Sequence, residues 1–125
     1  MYDIKIASMH NLSTMIGYTD IRVDRRSVLG NPYWLVKEED RQKVIAAYRK
    51  YLWNALNSNQ IILDKSLTIA STYDAPQVGQ IYDEIKKLTN IQSNIRLLCW
   101  CAPRSCHADV IKSCILWARN TGYFS

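Results

Sequence analysis

No run of about 18 apolar residues occurs in this 125-residue chain, so the sequence offers no segment of the length and hydropathy needed to span a bilayer as a helix. The amino terminus lacks the basic and apolar regions of a secretory signal, and a soluble, cytoplasmic protein is expected. Glycine and proline are scarce, with four and three residues, and there is no internal repeat or low-complexity tract, which excludes fibrous and disordered classes. Although the formal net charge is +5, no five or six like charges stand together, so there is no basic arm of the kind that grips nucleic acid. No cysteine precedes position 99. A stapled secreted fold spreads its cysteines over the loops it must close, so reduced thiols are expected instead.

What remains is a composition that is 48% apolar and 22% charged, that of an ordinary folded protein. The length suits one domain over residues 1–125 with one hydrophobic core. "YDIKIAS" alternates from Tyr2 to Ala7 and predicts a strand, and "IRV" at 21–23 predicts a second short one. Residues 9–20 show no period and read as a loop. "DRRSVLGNPYW" carries the Gly-Asn-Pro punctuation of a tight connection. From Glu38 to about Leu56, Val44, Ile45, Tyr48, Leu52, Ala55 and Leu56 recur at helical spacing, with Glu38, Glu39 and Asp40 at the dipole's positive end.

Residues 60–72 mix β-branched content with no settled period and stay unassigned between strand and helix. Val78, Ile81, Ile85 and Leu88 predict a helix over 77–88, and "NIRLLCWC" predicts a buried strand over 94–101. A turn at Pro103 then leads into a final helix, with Ser105 the expected N-cap. Strands alternating with helices imply a single α/β domain, a small sheet with helices packed on its faces.

The chemistry concentrates in "LLCWCAPRSCHADVI", residues 97–111. On a strand Cys99 and Cys101 share a face with side chains about 6.5 Å apart, too far for a disulfide without a bend. A zinc site built on Cys99, Cys101, Cys106 and His107 is the alternative, but C-x-C-x4-C-H lacks the second ligand pair of common zinc modules. The preferred picture needs no cofactor. It puts Cys101 at the carboxyl edge of the sheet, where open α/β folds bind ligands. Cys106 and His107 then open the last helix, where backbone amides and the dipole attract anions and favour a thiolate. Arg104 adds a charge able to clasp a phosphate. Free cysteine is also a small hydrophobe, and Cys99 and Cys114 are expected as packing residues.

"VDRRSVLGNPY", the helix near "DRQKVIAAYRKYL" and "LLCWCAPRSCHADVI" together resemble the domain of unknown function 4326 family, found in phages and bacteria, over about residues 21–118. The resemblance marks Arg26, Gly30, Asn31 and Pro32, then Arg41 and Tyr48, then Cys99, Trp100, Cys101, Pro103, Cys106, His107 and Asp109. The sequence departs from that pattern in a longer stretch over about 58–76 and in Tyr33, where phenylalanine is common. The family carries no established activity; a phage-encoded member would work in the host cytoplasm.

These readings converge on one pocket, formed by the GNP turn and the Cys106-His107 helix start, for a small anionic or nucleotide-like metabolite. Arg26, Gly30, Asn31, Arg41, Cys101 and Arg104 are its candidate ligand-binding residues, with Trp34 or Trp100 as a stacking face. Were it catalytic, Cys106 would be the nucleophile or thiolate, His107 the acid or base and Asp109 the orienter. Residues 106 and 107 point about 100° apart on a helix, which disfavours a nucleophile-base pair unless Asp24 or His10 supplies the base. Nucleic-acid binding is the third reading; it rests on the basic balance and lacks a groove-reading motif.

Overall fold

The computed structural model describes residues 2–10, 12–102 and 104–125. Its three strands, β1 (Ile4–Ser8), β2 (Tyr18–Arg22) and β3 (Asn94–Cys99), form a parallel sheet in the order β1-β3-β2. The last strand in sequence is therefore the central one. It pairs Ile4 with Ile95 through Ser8 with Cys99 on one side, and Tyr18 with Asn94 through Arg22 with Leu98 on the other. Flanked on both edges, β3 is buried from Ile95 to Cys99, which explains why all of these but Arg96 are apolar. Its one charged member, Arg96, is matched in register by Asp20 and donates to both of that carboxylate's oxygens at 2.7 and 2.8 Å.

A 3₁₀ turn over Glu38–Asp40 leads into α1 (Arg41–Asn57); α2 (Gln80–Asn90) and α3 (His107–Thr121) complete the fold. The expected buried face of α1 is all there, joined by Ala47 and Tyr51. In α2, Ile81, Ile85 and Leu88 are buried, each contributing roughly 1.5–3 kcal/mol. α3 lies against β3 and β1, and α1 and α2 pack on it and on each other, so the α/β reading holds.

Several boundaries differ from expectation, among them that of α2, which begins at Gln80 rather than 77 and leaves Val78 exposed. β2 begins at Tyr18 rather than Ile21 and is largely exposed, because an edge strand needs little apolar content to pair. β3 stops at Cys99, which removes Cys101 from the strand. The N-cap of α3 is Cys106, not Ser105: its Sγ accepts from the Ala108 N–H, and Asp109 Oδ2 accepts from the Cys106 N–H at 2.9 Å, a reciprocal capping box. Residues 60–72 are neither helix nor regular strand. They lie against the GNP segment instead, through an antiparallel bridge of Tyr33 with Ile69 and the bonds Trp34 N–H to Thr68 O and Ala70 N–H to Pro32 O. The turn assigned to Pro103 lies outside the described residues.

A cleft at the carboxyl edge of the sheet

All three strands run toward the same edge, and the chain leaves β2 and β3 there into the two segments that carry the motifs. After β2, Val23 and Leu29 are buried anchors, and two successive turns, Ser27 N–H to Asp24 O and Gly30 N–H to Ser27 O, coil the chain between them. Gly30 closes this coil at van der Waals range. A Cβ there would lie 2.6 Å from Arg25 Cα and 2.8 Å from Asp24 O, so only glycine fits. The Tyr48 hydroxyl donates to Leu29 O at 2.7 Å and ties the coil to α1. Asn31 Oδ1 accepts from the Tyr33 N–H, turning the chain outward.

The two distant segments meet. Asp24, Arg25, Asn31, Tyr33, Trp34 and Leu35 from the first, and Trp100, Cys101 and His107 from the second, line one cavity of about 260 Å³. A larger, polar cavity of about 840 Å³ adjoins it, walled by Arg26, Thr72, Asp74, Gln77 and Gln80 and sharing Asp24, Arg25 and Trp100 with the first. Trp34 and Trp100 keep about half their surface exposed, at 52% and 50%. The guanidinium of Arg25 lies over the Trp34 ring at 5.1 Å and donates to the carbonyls of Asn31 and Tyr33. Trp100 donates its Nε1–H to Asp24 Oδ2 and meets the His10 ring edge-on at 4.9 Å. Burial alone would raise the Asp24 carboxyl, but Arg22 and the Trp100 indole hold it below the usual carboxylate range.

Not every residue proposed from the sequence lies on this wall. Asn31 and Cys101 do, and so does His107. Gly30 is buried in its own turn and acts by shape. Arg26 is exposed on the larger cavity. Arg41 donates to Ser105 O at 2.7 Å and to Glu38 Oε2 at 2.9 Å, while Arg104 donates to Glu38 Oε1 at 3.0 Å, so one carboxylate holds both cations. Cys106 is buried, and Asp109 is spent on the capping box.

His107 is buried, with its Nε2–H donating to Val23 O and its ring edge-on to Tyr48 at 5.1 Å. Burial holds the imidazole below its ordinary pKa, hence neutral. This is a fastening between the helix start and the residue that follows β2.

The thiols divide unequally. Cys106 Sγ stands 3.2 Å from Cys99 Sγ. Its bonds to Cys101 and Cys99, then burial, push the Cys106 thiol far up and keep it protonated. An S–H donates to one acceptor at a time. Cys101, half-buried on the cavity wall, has Arg41 beside it as well, and the Cys106 hydrogen bond and that guanidinium bring its thiol down to about 6. The dipole argument from sequence chose Cys106. In the structure the Cys106 side chain folds inward to cap the helix, its thiol pushed up, whereas the Cys101 thiol is brought down. Among the described residues no group of three His, Cys, Asp or Glu side chains is placed to hold a metal ion.

Asp24 entered the sequence reading only as a substitute base, and Arg25 and Glu38 entered it without a site role. The tandem arginines beside an aspartate were visible, whereas nothing in the sequence tells that Glu38 bridges two arginines 63 positions apart. No helix is long and apolar enough to cross a membrane among the described residues. A family described as a domain of unknown function (DUF4326) matches residues 7–117. No curated protein and no solved structure matches the chain.

Proposed function

We propose, from the premise that the chain belongs to the domain of unknown function (DUF4326) family, that it binds a nucleotide-like, phosphorylated small molecule in the cleft at the carboxyl edge of its sheet. One observation carries this reading: the segment after β2 and the segment after β3 wall a single cavity, opening beside a second, polar one across Asp24, Arg25 and Trp100. Two indoles left half exposed at such a mouth are stacking faces for a flat heterocycle. Arg25 supplies positive charge to the shared rim and Arg26 to the larger cavity, and the ionised Asp24 offers an acceptor to a sugar hydroxyl or an exocyclic amine. Polar groups converging on a concave, partly aromatic surface are the usual anatomy of a small-molecule site. The reading is one of binding, since Cys106, His107 and Asp109 are each committed to packing or capping.

The test is a thermal-shift screen of nucleoside mono- and diphosphates, inorganic phosphate and zinc against the full chain, because a ligand that binds the folded state raises its melting temperature. A nucleotide is expected to stabilise more than phosphate alone. Trp34→Ala and Arg26→Ala should each weaken that binding by at least about tenfold, or about 1.4 kcal/mol, without lowering the melting temperature of the free protein. Both side chains are exposed, so their loss leaves the core intact. A shift by zinc alone, or none at all, overturns the reading.

A further inference from the structure

Where α1 and α3 pack together they leave an apolar groove of about 430 Å³, which shares no wall residue with either cavity at the sheet edge. We propose that this groove is a second binding site, and that its ligand is a soluble medium-chain carboxylate, an anionic head on an apolar tail. Nothing in this reading depends on a nucleotide in the cleft. The helical period builds the groove: Arg49, Leu52, Trp53 and Leu56 lie at i, i+3, i+4 and i+7 on α1, and Val110, Ser113, Cys114 and Trp117 repeat that spacing on α3. Each helix thus contributes one stripe two turns long, about 10 Å. Leu52, Leu56 and Val110 are buried, whereas Trp53 and Trp117 remain 52% and 36% exposed with their rings 5.5 Å apart. Two indoles in contact and open to water are apolar surface that the fold itself leaves uncovered.

Charge selects the occupant. The groove wall holds two cations, Arg49 and Lys50, and no carboxylate. Both are exposed, and among the described residues no ion pair engages either. They stand about one turn before Trp53, so positive charge marks one end of the apolar stripe on α1. Arginine and lysine lay their stems along apolar surface and keep the charge at the rim, where a carboxylate accepts from it. Size selects among the anions. Nine residues wall the groove, against about 20–30 a side in a stable protein interface, whereas its volume lies within the range of about 300–1,000 Å³ usual for small-molecule sites. A second copy of the chain fails on charge as well, because a self-complementary pairing would bring two more cations to the groove and no carboxylate.

The experiment titrates the full chain with decanoate, decanol and decyltrimethylammonium, each below its micelle concentration, by isothermal titration calorimetry. Decanoate should bind more tightly than decanol by at least about fivefold, the scale of exposed ion pairs, and decyltrimethylammonium more weakly than either. Octanoate, shorter by two CH₂ groups, should bind about tenfold more weakly than decanoate. Arg49→Gln with Lys50→Gln should erase the preference for decanoate over decanol and leave decanol binding unchanged. Ser113→Trp, which sets an indole in the groove, should weaken both ligands by at least about tenfold. All three positions are exposed, so the variants should keep the fold, which circular dichroism verifies. Decanoate binding that either variant leaves unchanged overturns the proposal, as does decanol binding as tight as that of decanoate. So do co-sedimentation with phosphatidylglycerol vesicles without binding of monomeric decanoate, and a dimer that Ser113→Trp dissociates.

Discussion

Arg41, the first residue of α1, donates to the carbonyl of Ser105 at 2.7 Å across 64 positions of sequence. That single bond braces the loop carrying Cys101 from the start of α1, and the guanidinium lowers the thiol's pKa. Replacing Arg41 by Gln should therefore raise the midpoint of Cys101 alkylation from about 6 by about one pH unit or more, because the thiolate loses its cation. Iodoacetamide labelling of Cys101 followed by mass spectrometry over pH 5–9 measures it, and an unchanged midpoint would show that Arg41 acts only as a brace.

Gly30→Ala should cost about 2 kcal/mol, because the added methyl drives into the backbone of Asp24 and Arg25 where neither can retreat. The melting temperature then falls by roughly 5–10 °C. A variant with unaltered melting but lost ligand affinity would instead make Gly30 a contact residue.

The neutral, buried His107 predicts a pH dependence of stability. Its folded pKa lies below the unfolded value of about 6.5, so the unfolded chain binds a proton that the folded chain refuses. Stability is full above pH 6.5 and declines as the pH falls through the window below it. Urea midpoints at pH 7, 6 and 5 should decline in the parent and decline less in His107→Gln, which keeps a donor for Val23 O. Parallel declines would assign the effect to other groups.

Glu38 occupies Arg41 and Arg104 at once, as a phosphate would. If those arginines belong to the ligand site, Glu38→Gln should strengthen phosphate or nucleotide binding by roughly threefold, the scale of an exposed ion pair. Titration calorimetry at low salt reads the change. An unaltered affinity would make the two arginines loop braces and nothing more.

Much of this was legible before any coordinates. The spacing of Val44, Ile45, Tyr48 and Leu52 specified the buried side of α1, and the unbroken "LLC" marked the central strand, because burial on one stripe or on both faces leaves its period in the residues themselves. The meeting of the GNP turn with the cysteine loop followed from where parallel strands end. What escaped was decided by contacts distant in sequence. Residues 60–72 have no period because they pair with one short segment by isolated backbone bonds. Cys106 was favoured over Cys101 because the helix dipole is a local rule, whereas the inward turn of a capping side chain and the approach of Arg41 are not. Asp20 alone reads as an exposed acid; it is the register opposite Arg96 that makes it a structural partner.

The middle strand of the sheet is the last to be synthesised. Until residue 99 has cleared the ribosome, β1 and β2 have no neighbour to pair with, and the nascent chain can hold only helices and hairpin-like fragments. Folding of the sheet is thereby postponed until β3 has been made. Both walls of the cleft then come into being in a single event, and a chain stalled shortly before that point presents no half-built receptor to its surroundings.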